Sequence, residues 1–218
     1  MSKPKAKGRF IAFEGGEGAG KSTQARMLAR ALQSRGLEVD VTREPGGTPG
    51  AEAIRRLLLN PPEGTAWGPN AEALLFAAAR SDHVAQRIRP ALDKGVWVVC
   101  DRFVDSSRAY QGGAGGLGDE AITSLHAFGS AALRPDLTIL LTVDEFATAR
   151  RLRERDGGET DAIGGRSPVY HASVASAFRA LANADPDGFA VIDGEGAPAD
   201  VHHRVLEAID SRLRDHAE

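Results

Sequence analysis

A glycine-rich stretch near the N-terminus has the residue types of a phosphate-binding site. Residues 15–22 read Gly-Gly-Glu-Gly-Ala-Gly-Lys-Ser and fit the pattern G-x-x-x-x-G-K-[ST]. Glycines let the backbone wrap so that its N–H groups point at phosphate oxygens. Lys21 adds a compact positive charge, and the Ser22 hydroxyl can bind Mg²⁺. An apolar run precedes the stretch and a helical pattern follows it, so the sequence predicts a nucleoside triphosphate site.

Two acidic residues accompany this pattern. Glu17 lies inside the stretch, where a carboxylate must point away from bound phosphates or repel them. It is either a solvated outward side chain or a contact to a hydroxyl group of a second substrate. Asp101 ends the apolar run 96–101, where it either holds the water shell of a metal ion or serves as a helix cap or an ion pair for Arg102. The phosphate-loop pattern in the same chain favours the metal.

Basic and aromatic residues form weaker signals. Arg43 suits a phosphate because its planar guanidinium can bind two oxygens, although residues 42–48 can equally be a simple strand-turn-helix connection. Phe76 and Arg80 share a helix face, either to read a nucleobase or as a core ring and a solvated charge. A run of arginines is either a solvated helix end or a lid that brings cations to a transferring phosphoryl group; it comprises Arg150, Arg151, Arg153, Arg155 and Arg166.

Short apolar runs alternate with longer segments of helical period, which predicts a mostly parallel sheet covered by helices. The predicted strands are residues 10–14, 38–43, 96–101, 137–143 and 189–193. The predicted helices are residues 22–35, 71–89, 120–128, 145–155, 173–183 and 199–214, and one from 48 to the prolines at 61 and 62. Residues 111–118 and 156–166 are predicted as glycine-rich loops.

Composition excludes several classes of protein. With 218 residues, 42% of them apolar and 26% charged, the chain can bury a full core and is not disordered, collagen-like or coiled-coil. The net charge of -3 lacks the basic field of a nucleic-acid-binding protein, and no apolar run is long enough to span a membrane. One cysteine fits a reducing compartment. We expect a single cytoplasmic domain over residues 1–218, with a basic tail at 1–8.

Several blocks, in order, resemble the thymidylate kinase family between residues 10 and about 181. Together they are far more specific than the phosphate loop alone. The blocks are Phe-Glu-Gly at 13–15, Thr-Arg-Glu-Pro-Gly-Gly-Thr at 42–48, Phe-Ala-Ala-Ala-Arg at 76–80, Asp-Arg at 101–102, Ala-Tyr-Gln-Gly at 109–112 and Arg-Pro-Asp at 134–136.

The resemblance implies a three-layer α/β/α P-loop fold with a five-stranded parallel sheet, a short lid at about 150–167 and a homodimer. It implies an ATP-dependent nucleoside monophosphate kinase that converts dTMP to dTDP for dTTP synthesis. In the family's pattern, Ser22 and Asp101 organise Mg²⁺, and Lys21 is catalytic. The residues implied to hold ATP are Gly15, Gly16, Glu17, Gly18, Ala19, Gly20, Lys21, Ser22 and Thr23.

The same resemblance implies the acceptor site. Its expected residues are Glu17 at the 3′-hydroxyl, Arg43 and Arg102 at the phosphate, Phe76 stacked on thymine, Arg80 at O4, and Ser107, Tyr110 and Gln111 around the nucleoside. Because Gly18 stands where some members carry a basic residue, the resemblance implies that Arg153 or Arg155 of the lid is catalytic alongside Arg102. The family's Asp-Arg-Ile-Glu is Asp-Ala-Ile-Gly at residues 161–164, which leaves open whether Arg166 replaces the missing arginine.

Three other functions remain as alternatives. A kinase for dUMP or dCMP has the same machinery with a different base site. A P-loop ATPase that powers another protein needs no acceptor site. A GTPase switch needs an Asn-Lys-x-Asp segment to read guanine, which the sequence lacks.

Overall fold

The structure, a computed structural model, describes residues 8–62, 66–144 and 162–213. Its centre is a five-stranded parallel sheet in the order β2-β3-β1-β4-β5. All five predicted strands are confirmed to within one residue at each end. They are β1 Phe10–Glu14, β2 Val39–Arg43, β3 Trp97–Asp101, β4 Leu137–Thr142 and β5 Phe189–Asp193.

Helices pack on both faces of this sheet, and two π-helical segments interrupt the α-helical pattern at Val84–Ile88 and Arg108–Ala114. The Thr48 side chain accepts a hydrogen bond from the backbone N–H of Ala51, as expected for the start of a helix. The α-helices are α1 Lys21–Ser34, α2 Pro49–Leu59, α3 Pro69–His83, α4 Arg89–Asp93, α5 Val104–Ser107, α6 Asp119–Ser130, α7 Pro168–Ala184 and α8 Pro198–Leu213.

The alternating side chains of β1 separate the two layers of helices. Ile11 and Phe13 pack in one apolar cluster with α1 and α8. Phe10 and Ala12 pack in another with the π-helical segment after α3 and with Phe103. Because both faces are covered, β1 is buried at all five positions. The three-layer α/β/α arrangement is therefore confirmed.

The helical predictions need four corrections. Residues 111–114, predicted as loop, complete the π-helical segment, and α5 had no prediction at all. The helix predicted at 173 begins at Pro168, and the one predicted over 71–89 is α3, a π-helical segment and α4. The predicted helix at 145–155 lies outside the described residues. Among the described helices, none is long and apolar enough to cross a bilayer.

Candidate active site

The glycine-rich stretch forms the turn between β1 and α1. Gly15, Gly18 and Gly20 have positive φ angles, and a Cβ on Gly15 would lie 2.4 Å from the Leu141 carbonyl oxygen. The stretch needs glycine there because a side chain has no room and the backbone is left-handed. The loop and the first turn of α1 thus hold every expected ATP-binding residue in one continuous segment, residues 15–23.

Lys21 is folded over this loop. Its Nζ donates hydrogen bonds to the carbonyl oxygens of Gly15, at 3.1 Å, and Gly16, at 2.6 Å. Burial lowers the pKa of the Lys21 amine to about 8, and the positive charge of Arg102 acts in the same direction. The carbonyl contacts place the amine above the loop, where an incoming phosphate can replace them.

Ser22 and Asp101 lie together at the carboxyl edge of the sheet. The Ser22 hydroxyl donates a hydrogen bond to Oδ2 of Asp101, the last residue of β3. The other carboxylate oxygen, Oδ1, is buried without a hydrogen-bond partner among the described residues. A hydroxyl beside a carboxylate with an unused oxygen fits the preference of Mg²⁺ for oxygen ligands.

Arg102 connects the phosphate loop with the neighbouring cavity. Its φ of 69° is left-handed, a conformation that costs a non-glycine residue roughly 1–3 kcal/mol. The guanidinium donates to Glu17 Oε1 at 2.7 Å, to the Gly15 carbonyl at 3.2 Å and to the Tyr110 hydroxyl at 3.3 Å. It also lies over the Tyr110 ring, 5.1 Å from the centroid. Arg102 and Glu17 are therefore paired where the loop meets the cavity.

That cavity, which we call the acceptor cavity, has a volume of about 590 Å³. It opens beside the phosphate loop at the carboxyl ends of β2 and β3, as ligand crevices do in open α/β sheets. Of the expected acceptor residues, seven line it: Glu17, Arg43, Phe76, Arg102, Ser107, Tyr110 and Gln111. Arg26 and Arg55 also line it, and neither was predicted as a site residue.

Arg80 lies just behind this lining and is only 3% exposed. Its Nε donates to Glu44 at 2.7 Å, and its Nη2 donates to the Ser107 hydroxyl at 3.0 Å and the Phe103 carbonyl at 3.2 Å. Glu44 also contacts buried His83, through Oε1 and Nδ1 at 3.0 Å. The arginine predicted to read a base is thus fixed by a carboxylate that the sequence analysis missed.

Glu14 is a second missed carboxylate. It ends β1, is fully buried, and accepts from the backbone N–H groups of Phe103, at 2.8 Å, and Ser106, at 3.0 Å. It therefore fixes the start of α5, the helix that carries Ser107. Burial raises the pKa of Glu14 to about 7, and the nearby charge of Asp105 adds to the rise. An acidic residue ending an otherwise apolar strand was the available sequence signal.

The expected lid arginines lie partly outside the described residues. Arg153 and Arg155 lie outside the described residues. Arg166 is described, and its guanidinium contacts Glu72 and Tyr170. It also lines a cavity of about 280 Å³ together with Gly15 and Gly16 of the phosphate loop.

A phosphate loop after the first strand of a parallel sheet, with a serine-aspartate pair and a cavity that extends from the loop past Arg102 to Phe76 and Gln111, defines a P-loop nucleotide-binding protein with room for an acceptor. Comparison with known proteins narrows this class. The thymidylate kinase family profile matches residues 13–205. This chain belongs to the thymidylate kinase family.

Individual relatives agree along almost the whole chain. A thymidylate kinase of Rhizorhabdus wittichii is 57% identical over 204 residues, which cover 93% of this chain and 97% of the relative. One from Afipia carboxidovorans is 48% identical, covering 95% and 91%. One from Chromohalobacter salexigens is 47% identical, covering 96% and 94%.

Proposed function

We propose that this protein transfers the γ-phosphoryl group of ATP to the 5′-phosphate of dTMP, giving dTDP and ADP. The observation that carries the proposal is that a single cavity is lined by Lys21 and Ser22 of the phosphate loop, by Arg102, and by the expected acceptor residues. In such a reaction an oxygen of the dTMP phosphate attacks the γ-phosphorus as the bond to ADP breaks. Catalysis then consists of positioning and charge neutralisation, without a covalent intermediate on the enzyme.

On the donor side, the loop amides of residues 15–23 hold the phosphates of ATP and Lys21 gives up its carbonyl contacts to bind them. Ser22 and Asp101 are the residues that would hold Mg²⁺, and the free Asp101 oxygen supports this assignment. When bound, the ion would neutralise charge on the ATP phosphates.

On the acceptor side, Arg43 and Arg102 bind the dTMP phosphate. Each is paired with a carboxylate in the structure, Arg43 with Glu52 and Arg102 with Glu17, so each is held near the cavity before the phosphate arrives. Glu17 then accepts a hydrogen bond from the 3′-hydroxyl of the deoxyribose.

The base is held between stacking and polar contacts. Phe76 stacks on thymine, while Arg80, with Ser107, donates to O4 and Gln111 lies at the edge of the ring. Tyr110 crowds the 2′ position and so disfavours ribonucleotides. The support is that Phe76, Ser107, Tyr110 and Gln111 line one cavity and that Arg80 donates to the Ser107 hydroxyl.

Arg153 or Arg155 supplies the lid cation, since the loop has glycine at position 18. If so, Arg153→Ala or Arg155→Ala lowers kcat far more than it raises the KM for dTMP, because the contact is made in the transition state. Steady-state kinetics with varied dTMP at saturating Mg-ATP measures both quantities. If both single variants change only the KM, the arginines bind substrate and the lid assignment is wrong.

A panel of monophosphates tests the reaction and the choice of base. We expect dTMP to have the highest kcat/KM, dUMP to follow within roughly 10–200-fold, and dCMP to fall well below both. The methyl group that distinguishes dTMP from dUMP contributes little to discrimination. Arg80, in contrast, has only hydrogen-bond donors and cannot accept a hydrogen bond from the amino group of cytosine. ADP release without any monophosphate would instead identify an ATPase. Equal use of dCMP and dTMP would contradict the base assignment.

We further propose that the protein is a cytoplasmic homodimer. Phe128 of α6 is 94% exposed and Leu74 of α3 is 56% exposed. These two helices are in contact, because a Cβ on Gly129 would lie 3.4 Å from that of Ser81. Apolar side chains this exposed on adjacent helices support a contact between copies of the chain.

A further inference from the structure

Arg166 contacts two residues, each of which in turn contacts a residue that lines the acceptor cavity. Its Nη1 donates to the Tyr170 hydroxyl at 2.5 Å, and its Nη2 donates to Oε2 of Glu72. The guanidinium also lies over the Tyr170 ring, 4.7 Å from the centroid. The Tyr170 hydroxyl in turn donates to the Tyr110 carbonyl at 2.8 Å. One arginine thus joins the start of α7 to α3 and to the π-helical segment.

Glu72 also forms a hydrogen bond with Gln111. Its other oxygen, Oε1, accepts a hydrogen bond from Nε2 of Gln111 at 2.8 Å, and both residues are buried. Within the described part of the chain, Arg166 is the one cation paired with Glu72. An ion pair of this kind compensates for the burial of a carboxylate. In this pair the Glu72 carboxylate accepts hydrogen bonds from Arg166 on one oxygen and from Gln111 on the other.

The Glu72 carboxylate determines the orientation of the Gln111 amide group. An ionised carboxylate has no hydrogen to donate, so the NH₂ group must face Glu72 and the oxygen must face away from it. Gln111 lines the acceptor cavity, and its Oε1 has no hydrogen-bond partner among the described residues. The arrangement leaves a fixed acceptor for the edge of a bound base.

We propose that Arg166 is a positioning residue for base selection, which through Glu72 fixes the Gln111 oxygen toward the imino N3–H of thymine. This inference rests on the proposed function, since it needs a pyrimidine monophosphate in the acceptor cavity. Thymine and uracil carry a hydrogen on N3, whereas cytosine presents a bare acceptor there. A fixed oxygen favours the first two bases and repels the third.

In this role Arg166 does not replace the family arginine that is absent at position 162. A guanidinium held by Glu72 and Tyr170 acts on the base side of the acceptor, more than on the transferring phosphoryl group. The two tasks predict different kinetics, because base binding changes the KM and the choice of substrate while phosphoryl contacts change kcat.

The test compares Arg166→Met and Glu72→Gln with the wild type at saturating Mg-ATP. Arg166→Met removes the partner of Glu72 from a partly exposed position, and Glu72→Gln replaces the pure acceptor with an amide of similar size that can also donate. In both variants the Gln111 amide is free to turn. We expect the ratio of kcat/KM for dTMP to that for dCMP to fall by about tenfold or more. The kcat for dTMP should stay within about threefold of the wild-type value.

Calorimetric titration with dTMP in the absence of ATP measures binding independently of activity. In Arg166→Met and Glu72→Gln, the Kd for dTMP should rise together with the KM. Arg166→Lys should retain part of the selectivity, because the charge remains while the two-pronged contact is lost. Arg35→Met is the matched control. It removes an arginine that directly follows α1 and is paired with Asp210 of α8, and it should leave the ratio unchanged.

Two results would overturn the inference. Equal losses of kcat/KM for dTMP and dCMP would show that Arg166 and Glu72 only support the fold. A tenfold loss of kcat with unchanged dTMP affinity would assign Arg166 to the transferring phosphoryl group. A wild-type enzyme that prefers a monophosphate other than dTMP contradicts the proposed function itself, whichever way the variants behave.

Discussion

Lys21 places a positive charge on the phosphate loop, and among the described residues its buried amine donates hydrogen bonds to backbone carbonyls, which a bound phosphate can replace. We predict that Lys21→Ala lowers kcat by more than about tenfold, equivalent to a loss of over about 1.4 kcal/mol in transition-state stabilisation. Lys94→Ala is the control, because this exposed lysine follows α4 and lies outside the acceptor cavity. A Lys21→Ala variant that keeps more than a tenth of the wild-type kcat would contradict the role.

Glu14 should make the stability of the protein depend on pH. Its folded-state pKa of about 7 lies above the ordinary value of 4.5, so the folded protein binds a proton more tightly than the unfolded chain. The stabilisation from this proton is complete below about pH 4.5 and is lost as the pH rises through 7. Glu14→Gln keeps an acceptor oxygen but cannot ionise. The wild type loses this stabilisation between pH 5 and pH 8, whereas the variant does not. We therefore predict that the free energy of unfolding of Glu14→Gln minus that of the wild type increases over this range.

Urea unfolding at several pH values measures this difference. Glu52→Gln is the control, since a hydrogen bond from the Gly47 backbone and the charge of Arg43 hold the pKa of Glu52 below its usual value, against the opposing effect of burial. The stability contributed by Glu52 is lost only as the pH falls below about 4.5, so its effect should be constant between pH 5 and 8. If the Glu14→Gln difference is equally constant, Glu14 is already ionised in the folded state.

The sequence revealed the segments that form the candidate site more readily than the residues that hold those segments in place. The phosphate loop and Asp101 are local signals, each carried by a strand and the turn that follows it. Glu44 lies 36 positions from its partner Arg80, and Glu72 lies 94 positions from Arg166. Such pairs depend on how the chain folds back on itself, so neither residue spacing nor hydrophobic period reveals them.

At the scale of whole elements, strands were easier to predict than helices. A strand buried on both faces is a short apolar run with clear ends. Residues 111–114 were predicted wrongly as loop because the glycines there indicate a turn. In the structure, Gly113 serves close packing instead, since a Cβ there would lie 2.7 Å from the Cβ of Ala177 in α7. The π-helical segment that carries Tyr110 and Gln111 therefore rests directly on α7.

This contact gives a prediction about the element. Gly113→Ala forces the segment away from α7, with an overpacking cost of about 1–3 kcal/mol, and should raise the KM for dTMP by displacing Gln111. Gly68→Ala is the control, because a Cβ at that position would meet nothing within 4 Å. Thermal unfolding and dTMP kinetics measure the two effects.

The double variant Gly113→Ala, Ala177→Gly should recover most of the lost dTMP affinity, because the methyl group moves from one side of the contact to the other. The Ala177→Gly change alone costs up to about 1 kcal/mol in helix propensity, so the recovery is judged on the KM rather than on stability. Strictly additive effects on the KM would show that the two positions do not compete for the same space.

At the scale of the whole molecule, the strand order brings the site together. β1 lies between β3 and β4, so the phosphate loop after β1 is adjacent to Asp101 and Arg102 at the end of β3. β2 continues the same edge and adds Arg43 and Glu44. Residues far apart in sequence therefore meet because parallel strands present their carboxyl ends on one side.

The surface that we propose as a dimer interface lies on α3 and α6. Phe128 of α6 precedes Gly129, where a Cβ would lie 3.6 Å from the Ala77 carbonyl oxygen of α3. Exposed Leu74 lies one turn before Ala77. We predict a dimer in sedimentation at micromolar concentration, and we expect Phe128→Asp to shift it to monomer because a buried unpaired charge opposes association. Val169→Asp, at a 77% exposed apolar residue on α7, is the matched control and should remain dimeric. A monomeric wild type, or equal dissociation by both variants, would rule out an interface centred on Phe128.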